Sequence, residues 1–119
     1  MQCVKVRNET RATLIGNRIE VADTSLHRLV GLLGRHSLEP GGGLWIRPSS
    51  GVHTVAMTFP IDVIGIDRSC RIVKMWSCLK PYRITSVSWK MRSVLELPAG
   101  QIATSGSQLG DLLQIVEVA

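Results

Sequence analysis

The chain has 119 residues, 45% of them hydrophobic and 19% charged, with a formal net charge of +5. That length suits a single domain, 1–119, and the mix excludes a disordered chain, a collagen-like fibre and a coiled coil. The apolar runs, such as Val63 to Ile66, fall far short of the roughly 18 residues that a membrane-spanning helix needs.

The segment from Met1 to Arg7 contains no apolar stretch of the kind a secretory signal requires, so a cytoplasmic location is the default expectation. The three cysteines, Cys3, Cys70 and Cys78, form no CxxC pair. Buried reduced thiols are the expectation, and a Cys70–Cys78 bridge stays open if their strands pair.

In chain order, Cys3 to Arg7 and Arg18 to Ala22 alternate apolar with polar residues, the period of β-strands, with a turn expected at Gly16 and Asn17. The period then changes. Leu26, Leu29, Val30 and Leu33 fall at i, i+3, i+4 and i+7, between capping residues at Asp23 to Ser25 and Gly34. One helix is therefore expected at about residues 24–34, with Arg28, Gly31 and Arg35 on its second face.

Further strands are expected at Leu44 to Ile46, Val52 to Thr58, Ile61 to Asp67, Arg71 to Trp76, Ser93 to Leu97 and Asp111 to Val118. Asp67 to Cys70 suits a hairpin turn, and the glycines at 41–43 suit a flexible connection. Many short strands and one helix give a mainly β fold, a compact β barrel or jelly-roll-like sandwich with the helix packed on it.

The run from Gly51 through His53, Phe59-Pro60-Ile61-Asp62 and Val63 to Asp67 has a recognisable pattern. With Val94-Leu95-Glu96-Leu97-Pro98-Ala99-Gly100, Leu109-Gly110-Asp111 and the Arg28 to Arg35 stretch, it resembles the bacterial and archaeal domain-of-unknown-function family 192. The resemblance covers nearly the whole chain and implies a barrel-like or jelly-roll-like β domain; the family has no established activity. Many members carry Trp-Met-Lys-Asn-Thr where this chain has His53 to Met57, so a basic and an amide side chain are missing there.

Asp62 opens an apolar strand, either as a pocket acid or, more commonly for such a residue, bonded to neighbouring amides. Glu96 shares a strand face with Val94, and burial there would demand a cation, for which Arg28 and Arg35 are natural partners. His53 sits in an apolar segment where packed neutral histidines outnumber functional ones. His27, His36 and His53 lack metal-ligand spacing, so no metal and no cofactor is expected.

Gly106-Ser107-Gln108-Leu109-Gly110 misses the nucleophile-elbow spacing, and Gly41 to Gly43 lacks the Lys-Ser/Thr of a phosphate loop. Catalysis is thus not the expectation. A non-enzymatic domain binding a small ligand or a protein partner is expected, with a polar pocket near His53, Asp62 and Glu96 bordered by Arg28 and Arg35.

The alternative is nucleic-acid or polyanion binding through Arg68, Arg71, Lys74, Lys80, Arg83, Lys90 and Arg92, a stretch with no acidic residue and with Trp76, Tyr82 and Trp89 interleaved. A solvated strand face, with both tryptophans in the core, is the commoner reading of such a pattern.

Overall fold

A computed structural model of the chain describes residues 2–23, 37–49, 59–81 and 88–118. Seven strands form one sheet: β1 (Cys3–Asn8), β2 (Thr13–Ala22), β3 (Gly42–Ile46), β4 (Ile61–Ile66), β5 (Ile72–Leu79), β6 (Ser93–Pro98) and β7 (Leu113–Glu117). A short helix, α1 (Gln101–Ser105), follows β6 directly. The expected helix at 24–34 and the expected strand from Val52 to Thr58 lie outside the described residues.

The strand order is β5-β4-β6-β3-β2-β1-β7, and the sheet curls into a half-barrel. All neighbours are antiparallel except β2 and β3, which run parallel from Arg18 beside Gly42 to Ala22 beside Ile46. The two outer strands meet at one end. Ile72 donates to the Asp111 carbonyl (2.9 Å), Gly110 to that of Ile72 (2.8 Å) and Leu113 to that of Cys70 (2.8 Å). Arg71 and Leu112 form the bridge at the centre of this stitch.

β4 and β6 occupy the middle of the sheet and are covered on both faces, which is why they read as nearly continuous apolar runs. One face carries Val6, Ile19, Val21, Ile64, Leu95 and Leu97, closed at one end by Ile102 of α1. The other carries Ala22, Leu44, Ile61, Val63 and Val94, with Met91 packed on them. Burying each such side chain contributes about 1.5–3 kcal/mol.

Three expectations need correction. The turn between β1 and β2 falls at residues 9–12, where Ala12 takes a left-handed φ of 58°, and not at Gly16. Gly16 instead lies inside β2, at a bulge where the register moves from Val4 opposite Ile19 to Val6 opposite Gly16. Gly42 and Gly43 are the first residues of β3 and not a loose connection. The cysteines are free, yet Cys3 and Cys70 are only half-buried and Cys78 is exposed.

Candidate functional site

Asp62 is fully buried near the start of β4. Its Oδ1 accepts the Cys78 amide at 2.8 Å, and its Oδ2 accepts the Ile102 amide at 2.8 Å. Cys78 sits in a bulge of β5, at φ 51°, where the register passes from Ile61 opposite Leu79 to Val63 opposite Trp76. Ile102 is in the first turn of α1, where helix amides have no intrahelical acceptor. One carboxylate thus serves two backbone donors that the fold would otherwise leave unbonded.

Glu96 is 4% exposed and lies in the centre of β6. It stands opposite Val63 on one side and Leu44 on the other. Asp62 stands opposite Leu97. Since directly paired residues share a face and successive residues alternate, Asp62 and Glu96 project from opposite faces of the sheet. These two do not converge. His53, Arg28 and Arg35 lie outside the described residues, as do His27, His36, Tyr82 and Arg83.

The other basic residues are spread. Arg71 donates to the Gly110 carbonyl at 3.0 Å, beside the edge stitch. Lys74 is exposed on β5 and Lys80 just beyond it. Lys90 lies 5.6 Å from the ring of Trp89, which is 81% exposed. Trp76 packs against the face that carries Val63. The expectation of two core tryptophans therefore holds for Trp76 alone, because Trp89 occupies a turn that precedes β6.

Arg68 and Arg92 come together elsewhere, at the end of the half-barrel away from α1. There the ends of β2, β3 and β4, the start of β6 and the β4–β5 turn surround a cleft of about 430 Å³. Its walls include Trp45, Arg47, Arg68, Arg92, Asp23 and Asp67, with Ile66 among its apolar lining. The Arg47 guanidinium lies 4.3 Å from the Trp45 ring centre and 3.7 Å from Asp23. Asp67 Oδ1 accepts the amides of Ser69 (2.8 Å) and Arg71 (2.9 Å), which fixes the turn that carries Arg68. Trp45 is the penultimate residue of β3 and Arg47 lies in the bend just past its end, so strand alternation alone could not have paired them.

A second polar assembly was also not anticipated. Asn8 is fully buried and donates to Ser107 Oγ (3.0 Å) and Asp111 Oδ2 (2.9 Å). Arg11 Nε donates to the same Asp111 oxygen at 3.0 Å, and the Gln108 amide reaches it at 2.9 Å. The bond from Arg11, helped by those from Asn8 and Gln108, holds the Asp111 carboxyl down at about 2, against the opposing effect of burial. The same contact raises the Arg11 pKa. The Asp111 carboxylate at its centre is buried and bonded from three sides, with Arg11 covering it from the surface, which makes the assembly a clamp. Among the described residues no group of three His, Cys, Asp or Glu side chains is placed to hold a metal, and no helix is long and apolar enough to cross a membrane.

The chain is 31% identical over 110 residues to a UPF0127 protein of Thermococcus gammatolerans, covering 89% of this chain and 71% of that one. Its fold matches the crystal structure of a protein of unknown function from Novosphingobium aromaticivorans, with TM-score 0.80 at 23% identity over 94% of this chain and 83% of the other. It also matches, with TM-score 0.80 at 21% identity, a Sinorhizobium meliloti protein described as a candidate transcription regulator, over 96% of this chain and 92% of that one. At those identities the two structures speak for the fold alone. The model of domain-of-unknown-function family 192, described as Uncharacterized ACR, matches residues 4–115, and the chain belongs to that family.

Proposed function

We propose that this chain is a small-ligand-binding accessory domain and that its ligand seats in the cleft at the open end of the half-barrel. The observation that carries the reading is the cleft itself. Its volume of about 430 Å³ lies in the range of small-molecule sites, and it combines an apolar lining with a few convergent polar groups. A second hollow, of about 440 Å³, is walled by Asn17, Arg18, Glu20 and the approach to β3. It has no aromatic wall, and the cleft is preferred for that reason.

The reading keeps the binding role expected from the sequence and moves the site. Asp62 has both oxygens engaged by backbone amides, so it has little left to offer a ligand. Glu96 projects from the opposite face of the sheet to Asp62, so the two do not form one pocket. Binding is favoured over catalysis because the carboxylates of the cleft are already occupied, Asp23 by Arg47 and Asp67 by two amides.

The polyanion reading retains one specific support, the exposed Trp89 with Lys90 beside it, a pair suited to stacking on a base and neutralising a phosphate. A single NMR experiment tests both. A fragment library and a short single-stranded oligonucleotide are titrated separately into the ¹⁵N-labelled protein. The cleft reading expects fragments that move the Trp45 indole and Ser93 amide signals together. Movement of Trp89 and Lys90 by the oligonucleotide at low salt, with no fragment at the cleft, would overturn it in favour of the polyanion reading.

A further inference from the structure

We infer that the ligand of this cleft is an oxyanion, carboxylate or phosphoryl, borne on a flat apolar body. The inference rests on the cleft being the binding site and names the chemistry it selects. Three arginines against two aspartates leave the lining with one net positive charge. That charge is not evenly available. Arg47 is held against the Trp45 ring and beside Asp23, so its charge is largely answered. Arg68 and Arg92 are exposed cleft residues, and among the described residues neither guanidinium has an acceptor or an anionic partner.

Arg68 rises from the β4–β5 turn and Arg92 from the residue before β6, where the Arg92 amide donates to the carbonyl of Ile66, the last residue of β4, at 2.8 Å. Both guanidiniums line the same cleft from neighbouring strand ends, and each is a planar fork of donors, the group that suits the two or three oxygens of a carboxylate or phosphoryl group. Trp45 Nε1 is buried beneath this wall of the cleft and has no acceptor among the described residues, so the indole signal reports on the packing that the cleft rests on.

The body of the ligand follows from volume and lining. An inorganic oxyanion would fill a small part of about 430 Å³. The rest of the lining includes Trp45, Pro48, Ile66 and Cys70, a mostly apolar surface that favours a flat hydrocarbon or aromatic group.

The test uses phenyl phosphate, benzoate, benzyl alcohol and inorganic phosphate, each titrated into the whole ¹⁵N-labelled chain while the Trp45 indole signal is followed. Phenyl phosphate or benzoate is expected to saturate that signal with a Kd on the order of 1 mM. Benzyl alcohol and inorganic phosphate should each bind at least about tenfold more weakly, which is about 1.4 kcal/mol. R68A and R92A, exposed and outside the core, should each weaken the anion by about fivefold or more without lowering Tm.

Which of the two anions binds better separates the phosphoryl from the carboxylate form of the inference, and either satisfies it. Equal binding of benzyl alcohol overturns the oxyanion inference and leaves the cleft reading standing. Inorganic phosphate binding as tightly as phenyl phosphate overturns the apolar body. No movement of the Trp45 signal by any probe at 10-fold the expected Kd overturns both the inference and the cleft reading.

Discussion

Gly43 shows how a single missing side chain lets two strands meet. It takes a φ of +154°, and a Cβ built there would lie 2.5 Å from the Glu96 carbonyl oxygen and 3.2 Å from the Leu97 side chain. The carbonyl belongs to the backbone of β6 and has no free direction in which to yield. Replacing Gly43 with alanine is expected to destabilise the fold by about 2–4 kcal/mol, the sum of backbone strain and a contact that must be relieved by moving a strand. Urea unfolding reads this directly; a loss below about 0.5 kcal/mol would mean that β3 and β6 are not held so close. The glycines at 41–43 look in sequence like a loose connection because a glycine run marks both loops and close approaches. Only the neighbouring strand tells which, and that strand lies some fifty residues later in the chain.

Asp62 plays the corresponding part between elements, tying β4 to the bulge of β5 and to the first turn of α1. Its position at a strand start was readable, and so was its bonding to amides. Which amides was not, because the donors are 16 and 40 residues away in sequence. The relation of Asp62 to Glu96 was hidden for a related reason. The period of two assigns faces within a strand, whereas the relative face of two strands depends on register, and a slip of one residue reverses it. Strand identities, by contrast, were legible from alternation and punctuation, and the parallel β2–β3 pair requires a long crossover where the helical period falls in the sequence. Removing the Asp62 carboxylate leaves two amides without their acceptor. At about 1–3 kcal/mol for each orphaned group, D62A is expected to lose about 2–6 kcal/mol. Hydrogen exchange should show Cys78 and Ile102 amides losing protection beyond the global change. Retained protection at both would mean that other acceptors hold the bulge and the helix.

Closure of the whole molecule depends on where the two outer strands of the half-barrel meet. The stitch between Cys70–Ile72 and Gly110–Leu113 involves only a few backbone bonds, so the chain around it needs a second restraint. The Asn8–Arg11–Asp111 clamp supplies it, joining the β1–β2 turn to the segment ahead of β7, with Leu112 also donating to Thr10 Oγ1 at 2.9 Å. The Leu109-Gly110-Asp111 element was visible in sequence as part of a family pattern, but its purpose was not, since Asn8 and Arg11 lie about a hundred residues earlier. The clamp makes closure sensitive to acid. The Asp111 carboxyl titrates at about 2 in the folded chain, below the ordinary value of 3.8. A lowered folded pKa means that this contribution to stability is complete above about pH 4 and is lost as pH falls through about 2. Arg11 stays charged throughout that range. D111N removes the titrating group, so the variant should be less stable than the wild type at pH 5, and the difference should narrow on acidification to pH 2. Denaturation midpoints at the two pH values decide the matter. A difference that persists undiminished at pH 2 would assign the clamp's contribution to hydrogen bonding by shape alone, and the acid sensitivity of closure to other carboxylates.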